Sequence, residues 1–133
     1  SIGIFASRGY IDRALPAAGP KGAGLTFVSY GAVPEVQAMI DRSPFPKARL
    51  RHTVPDPEMQ LHMARAGAGM VFLASWVTSV FPDLQRVPGT DLDRRRATWV
   101  LLHGDLARVR RVRLFVDYLC DALMERRAHF IGA

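Results

Sequence analysis

Short apolar runs of strand type alternate with helix-start signals along this chain, and that alternation restricts it to an α/β architecture. Residues 2–6 (Ile-Gly-Ile-Phe-Ala) read as a first strand, and Ser7 can cap a short helix carrying Tyr10 and Ile11. Residues 14–24 hold prolines and glycines and read as loop. Leu25 to Ser29 is a second strand. Pro34 suits the first position of a helix running to about Arg42, with Val36, Met39 and Ile40 on one face. Arg49 to Val54 alternates as a strand does. Asp56-Pro57-Glu58 then combines a carboxylate cap, a proline at N1 and an acid facing the positive helix end. That helix stops at Gly67, and Met70 to Leu73 is a buried strand. Ser75 can cap a short helix through Phe81, Leu84 to Val87 is a brief strand, and Pro88-Gly89 ends it. Residues 97–103 form the most apolar strand candidate. Val112, Phe115, Leu119 and Leu123 keep helical spacing in a last element from about Arg108 to Arg127. Strands that alternate with helices favour a parallel or mixed sheet, because parallel strands need crossover connections. Ligands of such sheets bind at the carboxyl ends of the strands, where helix N-termini also point.

The chain's 133 residues suffice for one compact domain, and an apolar share of 49% allows a core. No stretch approaches the ~18 consecutive apolar residues of a membrane span. Ser1-Ile2-Gly3-Ile4-Phe5 has no basic segment before its apolar run, so no signal peptide and no membrane association are expected. The single cysteine, Cys120, cannot form an internal disulfide, which fits a reducing cytoplasm; it is expected to act as a small buried hydrophobe. A net charge of +6 favours anionic partners in general without naming one.

Tests for specific chemistry return little. Gly67-Ala-Gly-Met-Val-Phe has part of a dinucleotide fingerprint but precedes a strand where the fingerprint must follow one. It reads as a helix C-cap. Gly19-Pro-Lys-Gly-Ala-Gly lacks phosphate-loop spacing. Val28-Ser29-Tyr30-Gly31 lacks the first glycine of a nucleophile elbow. Nothing in the spacing of His52, His62, His103 and His129 singles out a base or a ligand set, so no catalytic residue, metal or cofactor is expected. Arg94-Arg95-Arg96 and Arg108-Val-Arg-Arg-Val-Arg could face nucleic acid. They read better as a solvated face, because Asp117 stands one turn beyond Arg113. Met59, Met63 and Met70 are expected to fill core.

The order of motifs resembles the effector domain of LysR-type transcriptional regulators. The resemblance rests on Phe5-Ala-Ser-Arg-Gly-Tyr-Ile, Phe27-Val-Ser-Tyr, Ala66-Gly-Ala-Gly-Met-Val-Phe-Leu and Phe81-Pro-Asp-Leu-Gln-Arg-Val. Thr98-Trp-Val-Leu-Leu-His-Gly-Asp-Leu and Arg111-Val-Arg-Leu-Phe-Val-Asp-Tyr-Leu complete it. It spans nearly the whole chain. Each motif alone is loose, and their order and spacing carry the specificity. Ala74 departs from the family pattern, which has proline there.

The resemblance implies a periplasmic-binding-protein-like α/β fold of type II, an open mixed sheet flanked by helices. Residues 25–87 would form the second of two subdomains. Residues 1–7 and 97–128 would be remnants of a truncated first subdomain, with crossings near Ala6 and Pro88-Gly89. The winged helix-turn-helix, the linker helix and the first half of subdomain one would be missing, so promoter DNA would be met only through that absent segment. The implied activity is sensing a small molecule, often an anion, in the cleft between subdomains. Ser29, with the backbone N–H groups of Tyr30 and Gly31, supplies the expected effector contacts, and Ser7 a further one. A competing reading of Ser29 is a hydroxyl bonded within its own turn. Asp56 is expected to be a helix cap only. Truncation would leave apolar surface uncovered, so a homo-oligomer is expected. The alternative class with this architecture is a solute-binding protein of a transport system.

Overall fold

The computed structural model describes residues 1–95 and 99–131. The fold is mixed α/β, with both parallel and antiparallel strand pairs and helices against them. Strand β1 (Ile2–Ser7) leads into α1 (Arg8–Ala14), and β2 (Thr26–Tyr30) into α2 (Val33–Asp41). Strand β3 (Arg49–Val54) leads into α3 (Pro57–Arg65), and β4 (Val71–Ala74) into α4 (Val77–Val80) and β5 (Leu84–Arg86). Helices α5 (Arg110–Glu125) and α6 (Arg127–Ile131) follow.

Strand β1 lies between β4 and β5 and is antiparallel to both. Strands β2 and β3 form a parallel pair. The two sheets meet at Met70, whose N–H donates to the Thr26 carbonyl at 2.8 Å and whose carbonyl accepts from Val28 N–H at 2.9 Å. The spatial order is therefore β3-β2-β4-β1-β5, with β1 alone running against the others. Strand alternation sends Ile4, Ala6, Phe27 and Met70 to one face, packed with Tyr10 and Ile11 of α1 and Ile40 of α2. Phe5, Val28 and Val71 go to the other face, packed with Ala64 of α3 and Val77 of α4. Fully buried Phe27 stacks on Phe72 with centroids 5.0 Å apart. Burial of one such ring contributes about 1.5–3 kcal/mol.

Local chemistry sets the element ends. Ser7 Oγ accepts from Tyr10 N–H, and Asp56 Oδ1 accepts from Met59 N–H at 2.8 Å, so both expected caps form. Helix α3 ends in a Schellman motif: Ala68 N–H reaches the Met63 carbonyl, Gly67 N–H reaches the Ala64 carbonyl, and Gly67 takes a φ of +80°. Gly69 is required by close approach, since a Cβ there would lie 2.8 Å from the Thr26 carbonyl oxygen. Tyr10 ties α1 to β2: its hydroxyl accepts from Thr26 N–H at 2.8 Å and pairs with Thr26 Oγ1, which itself donates to the Ala68 carbonyl.

Several expectations from sequence change. Ile2–Ser7, assigned by the resemblance to the first subdomain, is hydrogen-bonded along its length to β4 and β5. Past Pro88-Gly89 the chain still runs beside β1: Ile2 N–H donates to the Asp93 carbonyl at 3.0 Å and Asp93 N–H to that of Ile2 at 2.7 Å. Residues 99–103 are not a strand, and Trp99 and Leu101 are largely exposed, with no strand among the described residues alongside them. The start of that expected strand and Arg96 of the basic cluster lie outside the described residues. Ser75 does not cap α4; its hydroxyl donates to the Phe130 carbonyl instead. Met59 is half exposed and Cys120 is exposed, since α3 turns Met59 away from the sheet and α5 packs no face against it. Arg113 and Asp117 form no ion pair with each other; among the described residues the i, i+4 pairs are Arg8–Asp12 and Glu58–His62.

Helix α5 is amphipathic yet buries no residue. The chain exposes 9106 Å², against the about 6,900 Å² expected of a compact monomer of its mass. Most of the exposed large apolar side chains, Trp99 to Met124, lie in this C-terminal third.

Candidate functional site

The carboxyl edge of β2 holds the expected contacts in sequence: Ser29, Tyr30 and Gly31, followed by the start of α2. Ser29 is 1% exposed, and its hydroxyl donates to the Tyr30 carbonyl at 3.1 Å. Its proton is thus held within its own turn, which was the competing reading. Tyr30 is half exposed, and Gly31 takes a φ of +85° that turns the backbone out of the strand. Helix α2 then starts from Ala32, which has no side chain able to cap it. Its first turn offers backbone N–H groups to solvent or ligand, reduced by Pro34, which has none, and opposed by the acid Glu35.

Ser7 is not part of this group. It sits at the carboxyl end of β1, opposite Leu84, whereas the antiparallel sense of β1 puts Ile2 beside Ala74 at the carboxyl end of β4. Ser7 therefore lies at the far end of the sheet, engaged in capping α1. The expected quartet resolves into a contiguous turn, Ser29-Tyr30-Gly31, and one remote helix cap.

One buried residue near the turn is not signalled by any motif. Gln60 of α3 is 4% exposed, and its Nε2 donates to the Val28 carbonyl at 3.0 Å. It does so just past Met70, beyond which β2 and β4 form no further bridge. Its Oε1 is the buried side-chain polar atom left without a partner among the described residues. The sequence signal available was a polar residue on the inward face of an amphipathic helix.

Among the described residues no group of three or more His, Cys, Asp or Glu side chains is arranged to hold a metal ion. Two surface ion pairs each shift the protonation of one member. The Arg65 guanidinium, hydrogen-bonded at 2.7 Å, holds the Asp83 carboxyl below its ordinary value, and Asp93 raises Arg95 further above its own. Arg65 also lies over the Phe81 ring. Among the described residues no helix is long and apolar enough to cross a membrane. No family model, curated protein or solved structure matches the chain.

Proposed function

We propose that this chain is the ligand-sensing portion of a LysR-type transcriptional regulator, the second lobe of a two-lobed, periplasmic-binding-protein-like pocket. One observation carries the reading. Ile2, at the start of β1, and Asp93, beyond β5, are hydrogen-bonded to each other, and both lie at the carboxyl-end side of β4. Two adjacent strands that enter and leave a sheet at one end are the expected form of a double crossing between lobes. The crossings then fall at Ile2 and Asp93 rather than near Ala6 and Pro88-Gly89. The turn Ser29-Tyr30-Gly31 lies at the carboxyl end of β2, the neighbour of β4, and so faces the same side.

The uncovered apolar stripe of α5 supports the same reading, since a helix belonging to the first lobe would find its packing partner there. An effector held between lobes acts through unequal affinity for open and closed arrangements. Closure would change the packing of regulator subunits and the placement of their DNA-binding heads. The chemistry of the β2 edge suits an anion, through the backbone N–H groups at the start of α2 rather than the Ser29 hydroxyl.

The coding sequence upstream of Ser1 tests the assignment. A winged helix-turn-helix there is the expected result. A signal peptide would assign the chain to transport solute binding, and the absence of both features would overturn the two-lobed reading of its role.

A further inference from the structure

A pocket lies at the carboxyl end of β4, apart from the β2 turn. It measures about 560 Å³ and is lined by Trp76, Arg126, His129 and Phe130, within the range usual for small-molecule sites. Trp76 comes from the turn between β4 and α4, Arg126 from the junction of α5 and α6, and His129 and Phe130 from α6. Hydrogen bonds hold the two parts together. Ser75 Oγ donates to the Phe130 carbonyl at 3.3 Å, and Ser79 Oγ pairs with His129 Nε2 at 3.3 Å. The Ser79 hydroxyl proton goes to the Trp76 carbonyl, so His129 Nε2 is the donor in that pair. This fixes the imidazole edge-on to the Phe130 ring, at 84° and 5.5 Å between centroids.

The lining has an unusual balance. Its walls are aromatic, and its permanent charge is one guanidinium. Among the described residues no carboxylate lines the pocket and Arg126 has no ion-pair partner. Aromatic faces take flat apolar bodies, and a guanidinium fork matches a carboxylate in two parallel hydrogen bonds. We infer that this pocket binds an aryl carboxylate, its ring against Trp76 and Phe130 and its carboxylate on Arg126. The inference does not depend on the regulatory reading, because it requires only the chain itself.

Isothermal titration calorimetry on the full chain tests it, with naphthalene-2-carboxylate as probe and 2-naphthalenemethanol and 2-naphthylmethylamine as its neutral and cationic counterparts. The carboxylate is expected to saturate one site and to bind at least about tenfold more tightly than the alcohol, the size of a charge-assisted hydrogen bond. Arg126→Gln should abolish that preference while leaving the alcohol's affinity in place. Trp76→Leu should weaken both, and Ser29→Ala neither. Absence of saturable binding, equal affinity for the three probes, or an unchanged preference in Arg126→Gln would overturn the proposal. Should Arg126→Gln fail to fold by circular dichroism, the three-probe comparison on the parent chain decides it.

Discussion

Gln60 gives a substitution whose outcome depends on two opposed terms of similar size. Gln60→Met removes the Nε2 donor from the Val28 carbonyl, and a buried acceptor left without its donor costs about 1–3 kcal/mol. The same change removes Oε1, which is already buried without a partner, and relieves a desolvation cost of about the same size. Methionine has nearly the same length and shape, so no large cavity opens. The two terms offset, and the variant should lie within about 1 kcal/mol of the parent. Gln60→Glu should behave differently. At neutral pH it places a carboxylate beside the Val28 carbonyl oxygen, and an uncompensated buried charge costs about 3–5 kcal/mol. Burial raises the folded-state pKa of that carboxyl above its unfolded value of about 4.3. Its deficit relative to the parent is therefore full at high pH and shrinks as pH falls through the raised folded value. Urea unfolding of the three proteins from acidic to neutral pH measures both effects. A loss above about 3 kcal/mol in Gln60→Met would show that Oε1 is bonded in solution and refute the reasoning.

Three further outcomes follow from the same structure. Tyr10→Phe leaves Thr26 N–H without its acceptor and should cost about 1–3 kcal/mol in urea unfolding; a neutral result would remove Tyr10 as the tie between α1 and β2. Carboxyl NMR should show Asp83 titrating below 3.8, and Arg65→Gln should return it to its ordinary value. Because the folded-state pKa is lowered, the Asp83–Arg65 contribution is present above the unfolded value and is lost as pH falls through the folded one. A normal titration in the parent would deny the pair in solution. The surface in excess of a compact monomer is roughly 2,200 Å², beyond the ~800 Å² per partner of a standard interface. Light scattering should accordingly show self-association as concentration rises, and a clean monomer throughout would contradict that expectation.

What could be read from sequence follows from where local chemistry decides. Asp56-Pro57-Glu58 specifies a helix start through backbone hydrogen bonding alone, and α3 begins there. Gly67 was legible as a C-cap because only the residue after the helix needs a positive φ. Residues 99–103 show the opposite case. An apolar run signals burial only if another layer exists to cover it, and the described part of the chain provides none. Cys120, expected as a buried hydrophobe, is exposed on α5 for the same reason. At the candidate site, the turn at Tyr30-Gly31 followed from its place after a strand. The separation of Ser7 did not, because it depends on β1 running against its neighbours, and strand direction is a tertiary property. Gln60 and the Trp76–Arg126 pocket join residues distant in sequence, with no spacing that could announce them.

The account rests on the carboxyl ends of β2 and β4 forming the ligand-facing side of the sheet. Amide chemical shifts of the isotope-labelled chain, titrated with a panel of small carboxylates, examine that side most directly. Saturable movement of the Tyr30, Gly31 and Val33 amides, with Ser7 and Gly67 at the far end unmoved, is the predicted result. Movement centred on Ser7 and Gly67, or none at the β2 edge with any member of the panel, would contradict it.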